Sequence, residues 1–444
     1  MTAQAPVKLH QAITLRDPTS LRPAKRNART HSPRQIRQIA DSISRFGFTN
    51  PVLADEDGQI LAGHGRVEAA KLLGLKEVPV LCIGDLTPAE RKAYLLADNK
   101  LAQNAGWDRE LLALELQELI DIGFDIELTG FGMTEIDLVL DGASQSAPQG
   151  PGPGDVIPPL AKVAVSRTGD IWQLGRHRLL CGDARKAEDY DRLMDGKAAD
   201  IVFTDPPYNV PIDGHVCGLG AVRHREFAMG SGEMTPAQFT DFLSVTLGHM
   251  IRHARSGAIL YVCMDWRHMA ELSEAGVNCG LELKNLVVWN KTNGGMGTFY
   301  RSKHELIFVF KYGDAPHINN FGLGDTGRYR TNVWDYPGIS SISAGRQSEL
   351  AMHPTVKPVA LVADALKDCS KRADIVLDPF AGSGTTLIAA HQTGRTARVI
   401  EFDPLYCDTI LRRFIEVTGS QPTRLEGGIR FEDAEYELRQ GGLS

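Results

Sequence analysis

The segment DIVFTDPPYN (200–209) sets a carboxylate, two prolines and a tyrosine at the end of an apolar run. Pro206 and Pro207 fix φ and donate no hydrogen bonds, so the turn is stiff and its carbonyls are free to accept. The Asp205 carboxylate and the Pro206 carbonyl can together receive both N–H bonds of an exocyclic amine. Tyr208 offers a flat amphipathic ring that can stack on the base carrying that amine. An exocyclic amine is a poor nucleophile because its lone pair is delocalised into the ring. Two acceptors in a rigid frame favour the nitrogen as it becomes pyramidal and charged, which suits group transfer to an amino nitrogen. A double-proline turn that merely joins two elements would contain the same residues.

A second group of residues could hold a nucleoside. In DIVLDPFAGSGTTLIAAHQTG (374–394) an apolar strand ends at Asp378-Pro379, and Gly382 and Gly384 lead through a tight loop into a helix at Thr385-Thr386. Glycines there let the backbone approach a ligand while the helix starts close beneath it. The next strand ends in Glu401, whose carboxylate can accept from two ribose hydroxyls. Thr385 stands where a phosphate-binding loop would have its lysine, and Leu387 stands where a dinucleotide loop would have its third glycine, so both of those sites are excluded. Asp183 ends the strand RLLCGD and shares the same sheet edge by the crevice rule, where it can accept from an adenine amino group. A structural glycine turn, and ordinary Gly-Asp turn chemistry, are the alternatives.

Positioning these groups requires strands that end along one edge. RLLCG (178–182), DIVFTD (200–205), AILYVCM (258–264), LVVWNK (286–291), LIFVFKY (306–312), DIVLD (374–378) and ARVIEFD (397–403) are the strand candidates. Several are almost wholly apolar, as strands covered on both faces are. Helices are expected between them at about 186–195, 235–255, 266–275, 356–369, 383–393 and 404–417. The expected class is α/β, a doubly wound seven-stranded sheet at 160–418, preceded by a small α+β domain.

That smaller domain is expected over 31–141. Ser32-Pro33 starts a helix that ends at Gly47, a hairpin turns at 57–58, a helix follows through 64–75, and VPVLCI (78–83) is a strand. Thr87, Pro88 and Glu90 open a set of trailing helices. Between the two domains lies GASQSAPQGPGPGDVIPP (142–159), in which nine of eighteen residues are Gly or Pro. No hydrophobic face can form there, so the segment is expected to be a linker. Residues 1–30 form a basic arm, and the tail 419–444 is expected to be mobile or a small surface strand.

Composition narrows the partners. The 444 residues are 43% hydrophobic and 23% charged, enough for substantial cores. Seven cysteines show no CxxC pairing, against a disulfide framework or a zinc ribbon. No apolar run reaches membrane-spanning length, and the expectation is a soluble, cytoplasmic chain with no membrane partner. The formal charge is −7, yet residues 1–37 carry eight Lys/Arg against Asp17 alone. A basic arm of this kind can hold phosphate, though it is also what a solvated terminus looks like. His249 and His253 lie four apart in HMIRH, which lacks the glutamate of a zinc-protease helix, so no metal is expected.

Taken together, these motifs resemble the S-adenosylmethionine-dependent DNA amino-methyltransferases. DPPY (205–208) resembles the family's catalytic tetrapeptide, DPFAGSGTT (378–386) its cofactor loop and VIEFDPLY (399–406) its acidic ribose strand. HPTVKP (353–358) resembles the segment preceding the cofactor loop, and CGD (181–183) the strand end at the cofactor adenine. DPPY precedes the glycine loop, so the order is circularly permuted, as in the beta group, and the resemblance covers roughly 170–417. It implies S-adenosylmethionine as cofactor, held by Asp183, Lys357, Pro358, Asp378, Phe380, Gly382, Gly384, Thr385, Glu401 and Asp403, with Thr355 and His353 as weaker candidates. Asp205, Pro206, Pro207 and Tyr208 would hold a flipped-out base. Asp in the first motif position leans toward adenine N6, with cytosine N4 as the alternative. Double-stranded DNA is the implied partner and a homodimer the implied assembly.

Target recognition would fall in 209–235 and 313–352, with 291–304 beside them. His215, Arg223, Arg225, Lys291, Arg301, Lys303, Arg328 and Arg330 are the candidate DNA contacts, since such side chains read base edges and neutralise phosphates. Ordinary solvated loops would also contain them.

Residues 31–80 resemble the ParB/sulfiredoxin-like domain. GHGR (63–66) would offer free helix N–H groups and Arg66 to an anion, making Gly63, Gly65 and Arg66 a possible nucleotide site. His64 and a single Arg66 replace the usual glutamate and paired arginine, and no cysteine stands where sulfiredoxins have theirs. A non-enzymatic ParB-like DNA-binding protein with a degenerate cofactor domain is the alternative of a different class.

Overall fold

Apolar runs become strands where the sequence marks them, and each is closed by a turn residue. The computed structural model of the chain describes residues 12–24, 29–144, 154–210, 232–291, 300–321, 329–338 and 356–441. The chain divides into two units, Met1–Ser146 and Ala147–Ser444.

In the first unit, β1 (Ile13–Arg16), β2 (Val52–Ala54), β3 (Ile60–Ala62) and β4 (Val78–Cys82) form a sheet in the order β1-β4-β2-β3. The β2–β3 hairpin closes on Gly58 in the left-handed region, φ +75°, a conformation that glycine adopts without a Cβ penalty. Helix α1 (Pro33–Phe46) is capped by Ser32, whose hydroxyl accepts from Gln35 N, and it stops at Gly47. It lies beside α2 (His64–Leu72), and Val52, Ile60, Val67, Val78 and Val80 form the small core. Helices α3 (Pro88–Gln103), α4 (Arg109–Asp121) and α5 (Met133–Ser144) follow, the last two packing around Leu116, Ile126, Met133 and Ile136.

The second unit is built on a ten-stranded sheet, β11-β9-β10-β8-β7-β12-β13-β6-β5-β14. At its centre β8 (Ala254–Met264), β7 (Ala199–Thr204), β12 (Ile375–Asp378), β13 (Thr396–Glu401) and β6 (His177–Cys181) run parallel. β10 (His304–Lys311) is antiparallel to both β8 and β9 (Glu282–Asn290). Alternate side chains feed opposite faces: Ile201 and Phe203 one, Val202 the other. α9 (Val359–Cys369), α10 (Thr385–Gln392) and α11 (Pro404–Thr418) cover the first face. α6 (Ala187–Met194), α7 (Pro236–Arg252) and α8 (Met269–Asn278) cover the second. Helices on both faces make the sheet doubly wound.

The seven expected strands are all present, and three short ones extend the edges: β5 (Ile171–Leu174), β11 (Val333–Asp335) and β14 (Thr423–Arg424). The tail is more ordered than its composition implies. Residues of α12 (Phe431–Gly441) follow β14, and the Phe431 ring packs edge-on to Trp172 at 5.5 Å, both fully buried. Two large aromatic surfaces removed from water hold this end of the chain in place. The Gly/Pro-rich stretch also differs from a plain linker. α5 runs into its start, and at its end Gly154 is buried.

Candidate active site

Parallel pairing brings the chemistry to one edge. Asp205 follows β7, the Phe380–Gly384 loop follows β12, Glu401 ends β13, and Asp183 follows β6. β7 and β12 are direct neighbours, so the acidic-proline turn and the glycine loop emerge side by side. Hydrogen bonds tie these ends together. Thr204 Oγ1 donates to Asp378 Oδ1 at 2.8 Å, and Phe380 N donates to the same oxygen at 3.0 Å. Gly382 N and Asp403 N donate to the two oxygens of Glu401 at 2.8 and 2.9 Å. Gly384 is left-handed at φ +86°, and a Cβ there would lie 2.9 Å from Ile410 of α11. Only glycine lets the loop turn this close over the helix.

A chain of alternating charges runs behind Asp205. The Lys357 ammonium lies 2.5 Å from Asp205 Oδ2, 3.0 Å from Glu305 Oε2 and 3.2 Å from the Tyr208 hydroxyl. Tyr208 in turn donates to Asp205 Oδ1 at 2.7 Å. The far oxygen of Glu305 pairs with Lys291. Burial pushes Glu305 up, but Lys357 and Lys291 outweigh it and hold the carboxyl at about 2. Burial raises Asp205 above the ordinary carboxylate range; Lys357 opposes that rise and Glu305 adds to it. Lys357 itself is pushed up, because the two carboxylates outweigh its burial. The ammonium therefore stays charged.

On the glycine-loop side the carboxyls are held toward protonation. Burial raises Asp378 to about 6 against the bonds from Thr386, Phe380 N and Thr204. Burial likewise raises Glu401 to about 8, against its two backbone donors. A ribose, with two hydroxyls to donate, would stabilise the charged form of Glu401. The positive-φ glycines and this donor-seeking carboxyl fit a nucleoside cofactor.

Several residues take places the sequence does not indicate. Glu305 is absent from the sequence-based candidates; it heads β10, whose antiparallel pairing returns its start to the functional edge. Lys291 is expected at DNA, yet its ammonium is spent on Glu305 and lies 4.7 Å over the Trp289 ring. Lys357 is expected at the cofactor and instead bonds Asp205, with buried Pro358 leading into α9. Tyr208 is expected to stack freely, but its hydroxyl is turned to Asp205 and Lys357 lies 5.5 Å from its ring centre.

Asp183 accepts from Arg185 N and from both ends of its guanidinium fork at 2.7–3.2 Å. Although burial raises it, Arg185 brings it below the ordinary carboxylate range. A cofactor amine at Asp183 must share the carboxylate with Arg185 or displace it. Thr385 Oγ1 accepts from the buried Arg413 at 3.2 Å, and Asp403 caps α11 by accepting from Leu405 N. Phe380 is half-buried, its ring 5.9 Å from Phe242.

Arg330 is an internal strut: its Nε donates to Asp368 at 2.9 Å and its guanidinium stacks 4.5 Å over Trp334. Arg301 and Lys303 are both exposed, just before β10. His215, Arg223, Arg225, Arg328, His353 and Thr355 lie outside the described residues. Asn209 Oδ1 accepts from Gly232 N and Met234 N at 3.1 Å.

In the first unit, Gly63 caps α2 in the left-handed region at φ +97°. The Arg66 guanidinium folds back over it, so that a Cβ on Gly63 would lie 2.9 Å from Nη2. Burial pushes Arg66 down, with the Asp98 charge opposing. His64 Nε2 accepts from Ala24 N at 3.2 Å. Among the described residues no His, Cys, Asp and Glu side chains are grouped as metal ligands, and no helix is long and apolar enough to cross a membrane.

Residues 199–412 match the DNA methylase family, residues 4–99 the ParB N-terminal domain and residues 110–168 the ParB-methyltransferase HTH domain. The last match spans α4 and α5, where the sequence motifs indicate only trailing helices. The chain is 49% identical over 80 residues to the ParB-like nuclease domain-containing protein YnaK of Escherichia coli, covering 18% of this chain and 92% of that protein. It is 22% identical over 239 residues to the type II methyltransferase M2.MboI of Moraxella bovis, covering 52% of this chain and 85% of that one. The solved structure of the cytosine-N4-specific PvuII DNA methyltransferase aligns at 14% identity over 62% of this chain and 94% of that chain, with a TM-score of 0.41.

Proposed function

Given that the chain belongs to the N6/N4 type of DNA methylase, with ParB-type domains ahead of its methylase domain, we propose that it transfers a methyl group from S-adenosylmethionine to adenine N6 in duplex DNA. One observation carries this reading: Asp205 and the Phe380–Gly384 loop follow adjacent parallel strands, joined by the Thr204–Asp378 bond. S-adenosylmethionine, when bound, supplies a methyl group activated by a positively charged sulfur. Gly382, Gly384, Phe380 and Glu401 would hold it.

The remaining chemistry belongs to the chain. Asp205 and the Pro206 carbonyl accept the two amine N–H bonds, and so stabilise the nitrogen as it gains positive character. The new N–CH3 bond leaves one surplus proton on that nitrogen. Asp205, raised by burial, can take it before passing it to water. Lys357 keeps the carboxylate aimed and limits that rise. Extracting the base costs a few kcal/mol of stacking and pairing, which contacts to the duplex must offset. Adenine is favoured over cytosine by Asp in the first position of the tetrapeptide. Nucleoside analysis of DNA incubated with the chain and S-adenosylmethionine tests the assignment: N6-methyladenine is expected, N4-methylcytosine would replace it with the alternative base, and no methylated nucleoside would reject it.

A further inference from the structure

The end of the Gly/Pro-rich segment is fastened into the unit that holds the glycine loop. Arg413, on α11, is fully buried. Its Nε and Nη2 donate to the Gly154 carbonyl at 3.0 and 2.6 Å. Its Nη1 donates to the Ser383 carbonyl at 2.8 Å, with Ser383 Oγ and Thr385 Oγ1 at 3.3 and 3.2 Å. One guanidinium thus bridges residue 154 to the loop between Gly382 and Thr385. The fork geometry matters, since a lysine has no second arm to span both carbonyls.

The neighbouring contacts leave little freedom. A Cβ on Gly154 would lie 2.8 Å from Gln392 and 2.9 Å from Ile388, both on α10, the helix that the glycine loop starts. Asp155 Oδ1 accepts from Val359 N at 3.2 Å, at the first turn of α9 and two residues beyond Lys357. Residues 154–155 therefore touch both elements that carry the site. Burying a guanidinium is costly unless its donors are met, and here they are met by loop and segment carbonyls together.

We propose that Gly154 and Asp155 are positioning residues of the cofactor site, acting through Arg413 on Ser383–Thr385 and through Val359 on the start of α9, which packs against the helix that the glycine loop opens. This rests on the reading of the glycine loop as the S-adenosylmethionine site. The end of the Gly/Pro-rich segment then completes the loop's support instead of merely spanning two domains.

The test uses full-length chains carrying Arg413→Lys, Asp155→Ala or Asp155→Asn. Each is titrated with S-adenosylmethionine and assayed on duplex DNA. Arg413→Lys and Asp155→Ala are expected to raise cofactor Kd and KM by about tenfold, with kcat at saturating cofactor within about threefold of the unsubstituted chain. Asp155→Asn, which keeps an oxygen for the Val359 N–H, should recover most of the Asp155→Ala loss. Lowered thermal stability with unchanged cofactor KM, or kcat falling in step with affinity, would overturn the proposal. Should Arg413→Lys not fold, the Asp155 pair decides. If the unsubstituted chain binds no S-adenosylmethionine, the methyltransferase reading itself falls, before any substitution is compared.

Discussion

The Lys357 ammonium sits 2.5 Å from the Asp205 carboxylate and 3.0 Å from Glu305, although these residues come from three separate stretches of chain. Lys357 therefore links the segment before the glycine loop to the acidic-proline turn. Its placement depends on Glu305, which Lys291 holds from behind.

Glu305→Gln keeps the shape of that side chain and removes its charge. Lys357 then has one anionic partner, and its hold on Asp205 shifts. Methyl transfer is expected to slow on the order of tenfold to a hundredfold, because a small misplacement of a reacting group is that costly. Cofactor affinity should stay nearly unchanged. Single-turnover kinetics with separate cofactor titrations check this, and unaltered turnover would remove Glu305 from the account.

Glu401 gives a pH dependence whose sign can be worked out. Its folded value of about 8 lies above the ordinary 4.5, so the cofactor-free fold keeps a proton that the unfolded chain releases. Stability from this group is full below about 4.5 and is lost as pH rises toward about 8. Ribose hydroxyls favour the ionised carboxylate, so cofactor binding should expel the proton. Affinity for S-adenosylmethionine is expected to rise by up to about tenfold per pH unit until about pH 8, then level. Glu401→Gln should flatten the profile. Titration calorimetry in buffers of different ionisation enthalpy measures the proton release, and a flat profile in the unsubstituted chain contradicts it.

Thr204→Val removes the hydroxyl that joins β7 to β12 at Asp378. It leaves a buried carboxyl short of a donor, at a cost of about 1–3 kcal/mol. Chemical denaturation should show that loss, together with a further rise of the Asp378 pKa. Stability equal to the unsubstituted chain would mean the bond is dispensable.

Arg34 and Arg37 stand on α1, within the basic start of the chain, and Arg34 is exposed there. If they grip phosphate, Arg34→Gln with Arg37→Gln should reduce the slope of log affinity against log salt by roughly 0.9 for each phosphate no longer neutralised. Methyl transfer at saturating DNA should be unaffected. An unchanged salt slope would assign the phosphate grip to other residues.

Much of the site is legible because its motifs sit at strand ends. Apolar runs closed by Asp205, Asp378, Glu401 and Asp183 announce themselves locally, and the parallel rule sends them to one edge. Partners set by strand order are not legible. Glu305 is a hundred residues from Asp205, and its sole local signal is an acidic residue heading the apolar run LIFVF. Lys291 reads as a loop cation until β9 and β10 pair and bring it to Glu305. Arg413 resembles any basic residue on an amphipathic helix; its burial follows from the return of Gly154, far away in sequence. The tail helix has little sequence signal because one aromatic, Phe431, supplies its anchorage.

The most direct test of the account is mass spectrometry of nucleosides from duplex DNA treated with S-adenosylmethionine and either the unsubstituted chain or Asp205→Ala. The account predicts N6-methyladenine with the former and none with the latter, while both bind the cofactor comparably. Methylated adenine produced at the same rate by Asp205→Ala would contradict it, because the amine would then be activated somewhere other than beside the glycine loop.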